Sequence, residues 1–503
     1  MRCNGSQVKN MDNRVSVERC GLMSSLSLAS RSLRVITLAA ALTLTACGGG
    51  GGGGDDGGNP PPPDTGQIAA TVVDQFDAPI NGVTITAGSR TATTGSAGTA
   101  TVTEVPTGSV SVTASAAGLA DPPAQTVTVT EGGTASVEFT MQRVIEAAGG
   151  ISKARAEDPL TDGSTFTFRI GVIVIDENFN PVPGLTASAF SLANCTPVTG
   201  EFPERPDCVR FGSPGDDAPY TVANATPAEF QEIADPPGPV PYAAGLLFDS
   251  SASIADSDPT DARIFATKEY LNDVAAGDLV MLAAFADQEA RQLPNEGVNF
   301  FPCDPCTPSF TSDGNSLFAS LDSLATLEGG GTPLYDSLAT SDGLTGMIIS
   351  VDDEAPTTPA NLRKAVVLFS DGQDIYCAEP PGSFQFCTER RRDVVIEAEA
   401  REVDIFTIGL QSDNIDSLAM AELALRNGGS YLFAERPTQL LSIFGILDRL
   451  LAEDMPTYEM VWTVNAAGGT LIPGRAVIGE LTVDTGAATF TLPLVVQVQQ
   501  PQP

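Results

Sequence analysis

The sequence predicts a multidomain protein in which an α/β domain with a doubly wound parallel sheet is joined to all-β sandwich modules. Three observations carry this reading. Between residues 238 and 452, short apolar runs alternate with helical patterns, the signature of parallel strands linked by crossover helices. Around that region, residues 67–142, 165–235 and 456–500 instead alternate apolar and small polar residues between Gly and Pro punctuation, the period-two pattern of antiparallel strands. The length of 503 residues, at roughly 150 per domain, leaves room for about three globular units.

Composition removes several functions at once. The chain has no histidine, so it builds no Ser-His-Asp triad, Cys-His pair, HExxH zinc site or histidine pH switch. With 26 Lys+Arg against 63 Asp+Glu, its formal charge of −37 argues against nucleic acid as a partner, because phosphate backbones call for clustered basic side chains.

The amino-terminal segment reads as an address. Arg31 and Arg34 precede the apolar run Val35 to Ala46, whose 12 residues suit a secretory signal core but are too few to span a bilayer. The run ends Leu44-Thr45-Ala46-Cys47, which resembles a bacterial lipobox. That resemblance implies a signal peptide over residues 1–46, cleavage before Cys47 and acylation of that cysteine. A start at Met23 is an alternative, since residues 1–22 carry no apolar core. Gly48 next to Cys47, by analogy with lipoprotein sorting, points to the outer membrane of the cell envelope. Residues 1–46 hold six basic and two acidic residues, so the processed chain keeps 20 against 61, a charge of −41. Residues 47–66 form a tether, first unbroken glycine from Gly48 to Gly54 and then the stiffer run Pro60 to Pro63.

The first β module follows over residues 67–142. Runs such as Thr101-Val102-Thr103 and Thr126-Val127-Thr128-Val129 are separated by turns at Gly95-Ser96-Ala97-Gly98 and Pro106-Thr107-Gly108. The phrases Asp74 with Pro79-Ile80-Asn81-Gly82-Val83-Thr84, and Glu104-Val105-Pro106-Thr107-Gly108, are similar to carboxypeptidase-regulatory-like modules, a likeness that implies a transthyretin-like sandwich. The first phrase returns as Asp176 with Pro181-Val182-Pro183-Gly184-Leu185-Thr186, by shared turn chemistry or by homology. It opens a second β unit, residues 165–235, with Phe166, Phe168, Ile170, Val172 and Val174 on one face. Residues 456–500 return to the strand pattern and are expected to complete that unit.

The chemistry lies in residues 238–452. Strands are expected at Ala243–Phe248, Leu279–Phe285, Ala365–Phe369, Ile405–Ile408 and Tyr431–Phe433. Ile264, Leu271 and Val274 mark a helix after the first strand, and Pro333 is expected in the first turn of another. A closing helix sets Leu440, Phe444, Leu447 and Leu451 on one face. Such a sheet gathers ligands at the carboxyl ends of its strands. That edge would bring together Asp249, Ser251, Ser253, Thr332 and Asp371. Two carboxylates and three hydroxyls make an all-oxygen set suited to Mg²⁺, with Mn²⁺ or Ca²⁺ as substitutes, and unsuited to zinc or copper. Because hydroxyls supply much of the shell, the ion stays electrophilic and open to one more anion. Asp256 and Asp258 read as solvated loop acids beside the site, with a second cation as the other reading.

Asp249-Ser250-Ser251-Ala252-Ser253, Gly331-Thr332-Pro333-Leu334-Tyr335-Asp336 and Phe369-Ser370-Asp371-Gly372 resemble, in order, the von Willebrand factor type A domain. The resemblance implies a metal-ion-dependent adhesion site at those five residues and a protein partner offering an exposed Asp or Glu. The expectation is a lipid-anchored envelope protein, not an enzyme, whose binding at an all-oxygen site depends little on pH between roughly 6 and 8. The alternative is a metal-independent scaffold component of an envelope complex. Six further cysteines read as disulfides in an exported chain: Cys195 with Cys208, Cys303 with Cys306, Cys377 with Cys387. Only proximity in sequence favours these pairs, and zinc held by Cys303, Cys306, Cys377 and Cys387 is the rival arrangement.

Overall fold

The computed structural model describes residues 64–75, 79–156, 164–194, 197–198, 205–206, 220–234, 238–286, 298–301, 308–339, 346–375, 377, 384–466 and 476–497. The signal segment, Cys47, most of the tether, Cys195, Cys208, Cys303 and Cys306 lie outside these residues.

The first module contains strands β1 (Thr65–Val73), β2 (Thr84–Ala87), β3 (Arg90–Thr93), β4 (Thr99–Pro106), β5 (Gly108–Ser115), β6 (Leu119–Ala120), β7 (Gln125–Val129), β8 (Thr134–Thr140) and β9 (Gln142–Arg143). Two sheets, ordered β4-β1-β8 and β3-β2-β5-β7, face each other. Along β1 every second residue is buried, and Ile68, Ala70 and Val72 meet Ile85, Val112 and Phe139 in one apolar core. Alternation in sequence thus becomes the interior of a sandwich.

The next strands are β10 (Ala148–Ala156), β11 (Thr165–Ile175), β12 (Phe190–Asn194), β13 (Pro197–Val198), β14 (Arg205–Pro206), β15 (Tyr220–Val222) and β16 (Glu229–Ile233). The repeated phrase adopts one shape twice. Val73 bridges Pro79 and Ile175 bridges Pro181; Ile80 N–H donates to Val72 O at 3.1 Å and Val182 N–H to Val174 O at 3.0 Å. Gly82 and Gly184 both have φ +74°, the left-handed turn that favours glycine.

The α/β region holds β17 (Tyr242–Asp249), α1 (Ile254–Ser257), α2 (Ala262–Asn272), β18 (Leu279–Phe285), β19 (Asn299–Phe301), α3 (Phe318–Leu324), α4 (Leu334–Leu338), α5 (Met347–Glu354), β20 (Arg363–Ser370), α6 (Phe384–Arg401), β21 (Val403–Leu410), α7 (Ser417–Arg426), β22 (Tyr431–Ala434), α8 (Leu440–Gly445) and α9 (Leu447–Leu451). The strand order is β22-β21-β20-β17-β18-β19, parallel throughout except for the antiparallel edge strand β19. Helices cover both faces. Tyr242, Ala244, Leu246 and Phe248 pack with α2, α3, α8 and α9, while Leu247 packs with α4, α5 and α6 on the other side. Among the described residues no helix is long and apolar enough to cross a membrane.

Two local expectations are corrected. Pro333 is the cap residue before α4, not part of its first turn. The closing helix is two short helices meeting at Ile446, although Leu440, Phe444, Leu447 and Leu451 all reach the same core.

The larger correction concerns residues 165–235. Residues 456–500 do pair with the strands of 165–235, as expected, but the unit they complete is continuous with the α/β sheet and not a separate module. Strand β10 pairs antiparallel with β22 on one side and β11 on the other, so the α/β sheet runs on without a break. The final strands are β23 (Thr457–Ala466), β24 (Ala476–Asp484) and β25 (Thr489–Gln497). Strand β23 pairs with β11, β15 and β16, giving a sheet of 11 strands, and β12-β24-β25 forms a separate three-stranded sheet. Phe166, Phe168, Ile170, Val172 and Val174 share one core with Leu481, Phe490, Leu492, Leu494 and α7. An eleven-residue strand whose two faces both turn apolar near its end, at Val172 to Ile175, needs cover on each side, and merging with the α/β sheet supplies it.

Candidate functional site

Strand β17 sits between β18 and β20; the chain leaves β17 toward β18 and β20 toward β21, on opposite sides, so the carboxyl ends of β17 and β20 flank the switch point where sheets of this kind gather ligands. Asp249 ends β17 and Asp371 directly follows β20. Both are buried, as are Ser251 and Thr332. Asp249 Oδ1 accepts the Ser251 amide at 2.8 Å, and its Oδ2 accepts the Ser370 hydroxyl at 2.6 Å. Ser251 Oγ lies 3.1 Å from Ser253 Oγ, which donates to Asp371 Oδ1 at 2.7 Å. The second Asp371 oxygen accepts from Ser257 Oγ at 2.7 Å.

Thr332 joins through its backbone and through packing. Ile375 N–H donates to Thr332 O at 3.0 Å, bringing the third loop against the second. A Cβ on Gly372 would stand 2.9 Å from Thr332 Oγ1, so glycine is what permits this approach. The first and second loops are laced by Gly329 N–H to Ser250 O at 2.9 Å and Ala252 N–H to Gly330 O at 3.1 Å. The structure therefore brings Asp249, Ser251, Ser253, Thr332 and Asp371 to one end of the sheet.

Sequence reasoning missed Ser257, Ser370 and Ser412, whose hydroxyl donates to the Asp371 carbonyl. The Phe-Ser-Asp-Gly phrase contained Ser370; the other two are ordinary loop serines and carry no signal of their own. Asp256 is exposed. Asp258 is not solvated: it is buried and ion-paired with Arg263 at 3.1 Å, because its carboxylate also caps α2 by accepting the Ala262 and Arg263 amides.

Electrostatics set these groups apart. Burial, and then the neighbouring Asp371 charge, push Asp249 up to about 7, against the downward pull of hydrogen bonds from Ser370 and Ser251. Burial also raises Asp371, opposed by the Ser257 and Ser253 hydroxyls and by the Arg263 charge. Among the described residues no cationic side chain hydrogen-bonds to either carboxylate, and no cluster of three or more Asp, Glu, Cys or His side chains is arranged to hold a metal. The donor set is therefore two acids and neutral hydroxyls, all oxygen, in a buried spot that disfavours two uncompensated charges. Those properties fit a hard divalent cation.

Cys377 and Cys387 form a disulfide with Cα atoms 5.2 Å apart, joining the loop after Asp371 to the first turn of α6. This overturns the rival zinc arrangement, which needs both as thiolates.

Fold and site together describe an α/β domain with a buried polar cluster at its strand ends, fused to a β sandwich. Residues 67–142 match the Carboxypeptidase regulatory-like domain family, so the sandwich is a module of that kind. No curated protein matches the chain. Among solved structures, proximal thread matrix protein 1 from the mussel byssus is 16% identical at TM-score 0.30 over 43% of this chain, which spans 48% of that protein's length. The ArnB paralog VWA2 from Sulfolobus acidocaldarius is 10% identical at TM-score 0.25, covering 71% of this chain and 76% of its own. An aerotolerance-related membrane protein from Bacteroides fragilis is 13% identical at TM-score 0.28, covering 42% and 98%. All three scores are low.

Proposed function

We propose that the α/β domain is a von Willebrand factor type A domain that holds one divalent cation, Mg²⁺ in first place, and through it recognises a carboxylate of a protein partner. One observation carries the reading: Asp249 and Asp371, buried and with no cationic side chain hydrogen-bonded to them among the described residues, converge with the Ser251 and Ser253 hydroxyls at the strand ends, beside Thr332. When bound, the cation supplies an electrophilic centre for the incoming anion. The chain's own residues do the rest. Asp249 and Asp371 would balance the ion's charge, and the serine and threonine hydroxyls would add neutral oxygen ligands that leave it electrophilic. The lacing of the three loops fixes the relative positions of these side chains at the sheet edge. We place this head in the cell envelope, tethered by acylated Cys47 through the Gly/Pro segment, with the β sandwich as a spacer.

Isothermal titration of the full chain with Mn²⁺, and of candidate partners in Mg²⁺ or in EDTA, tests the proposal. One ion per chain is expected, with binding of metal and partner lost in Asp249→Ala. Partner affinity indifferent to both EDTA and Asp249→Ala would leave the metal-independent scaffold as the better account.

A further inference from the structure

The first and second loops of the site are joined by a single buried cation. Arg263, in the first turn of α2, is completely buried. Its Nη1 donates to Asp258 Oδ2 at 3.1 Å and to Asp261 Oδ1 at 3.2 Å, and its Nη2 donates to Glu328 Oε1 at 2.6 Å. Asp258 closes the segment that begins at Ser251; its own amide donates to Ile254 O at 2.8 Å, and its neighbour Ser257 reaches Asp371. Glu328 stands immediately before Gly329 and Gly330, whose backbones lace to Ser250 and Ala252, and four residues before Thr332. One guanidinium thus fixes the end of the hydroxyl loop and the start of the threonine loop at a set separation.

Stability alone is a poor reason for this arrangement. Burying an arginine with carboxylates costs desolvation that an apolar replacement avoids, and Arg263 Nε has no hydrogen-bond partner. The planar fork of arginine, in contrast, suits holding two backbones in fixed register. We propose that Arg263 is a positioning residue of the cation site: through Asp258 and Glu328 it sets the distance between Ser251–Ser253 and Thr332, and so the affinity for the ion. The inference rests on the metal reading above.

The test is Mn²⁺ affinity of the full chain, followed by the loss of the free-ion spin-resonance signal, alongside melting temperature in EDTA. Glu328→Gln and Arg263→Lys are each expected to weaken Mn²⁺ binding about tenfold, the usual scale for groups that orient metal ligands. Glu328→Asp, which keeps the charge, is expected to recover part of the loss. Asp404→Asn serves as the control: it breaks the Asp404–Arg363 pair, 2.5 Å apart at the amino ends of β20 and β21, far from the loops. It is expected to lower the melting temperature as much as Glu328→Gln while leaving Mn²⁺ affinity unchanged. Wild-type affinity in Glu328→Gln, or in Arg263→Lys should the first variant not fold, overturns the positioning role while the metal reading stands. Absence of Mn²⁺ binding by the wild type overturns both.

Discussion

Asp249 concentrates the electrostatics of the molecule in one side chain. Its folded value near 7, against 3.8 for an ordinary aspartate, means that the folded state holds a proton the unfolded chain has lost across that interval. In the metal-free protein Asp249 therefore contributes stability that is full below about 4 and is lost as pH rises through about 7, since the carboxylate must then ionise in a buried place. A bound cation reverses the sign, because it needs the ionised form. Apparent Mg²⁺ affinity should fall toward about tenfold per pH unit below 7. This prediction runs against the near independence of pH between 6 and 8 expected from an all-oxygen site, because burial raises the Asp249 carboxyl even where no imidazole is present. Melting curves in EDTA and in Mg²⁺ from pH 5 to 8 check this, and parallel pH trends in the two buffers would contradict it. The five candidate residues were readable because each sits at a strand end or helix start whose pattern is local. Arg263 was not, since its partners Asp258 and Glu328 are 70 residues apart in the sequence.

At the level of elements, the strands that frame the site were legible and the strand that frames the domain was not. Strands β17, β18, β20, β21 and β22 are buried on both faces, so each is a nearly continuous apolar run that stops where the ligand edge begins. Strand β10 begins Ala148-Gly149-Gly150, small residues without the apolar alternation that marks a strand, and the sequence assigns it to no element. Its glycines are there for tightness: a Cβ on Gly149 would fall 2.5 Å from Ile173 O, and one on Gly150 would fall 2.7 Å from Tyr431 O. Gly150→Val is accordingly expected to destabilise the protein by about 2–3 kcal/mol, the scale of an overpacked core. Urea unfolding measures it, and a change within about 0.5 kcal/mol would show that β10 is not wedged between its neighbours as described. The repeated Asp-to-Thr phrase was visible in sequence as chemistry and in structure as one turn, used once in the sandwich and once at the end of β11.

Across the whole molecule, boundaries drawn from composition cut through a continuous sheet. The α/β domain borrows β10, β11 and β23 to finish the sheet beyond β22, and α7 shares its core with β24 and β25. A fragment limited to residues 238–452 would leave the β22 edge unpaired and Tyr431, Phe433, Leu418 and Ala421 bare, so it is expected to aggregate, while residues 143–497 stay monodisperse. Size-exclusion chromatography separates the outcomes; a monomeric, folded 238–452 would show the borrowed strands to be dispensable. The sandwich is also bound in: Arg143 donates to Thr260 O at 3.1 Å, its guanidinium lies 4.7 Å from the Phe265 ring centroid, and Asp74 is 3.9 Å behind it. Period-two patterning reveals that a sandwich exists but carries no record of which surface receives it, because the docking groups are a few polar atoms scattered in sequence.

The placement of β1 has a mechanical meaning. It is the first described strand, and it lies between β4 and β8, parallel to β8 from Gln67 to Val73. A pull entering the chain at Thr65 and directed along the strand loads both neighbouring ladders in shear, so many hydrogen bonds must fail together; the same force on an edge strand of a hairpin would unzip them one at a time. Tension at that point is shared across the sandwich, and its route onward runs through β8 and β9 into β10, the strand stitched into the large sheet that carries the Asp249 cluster.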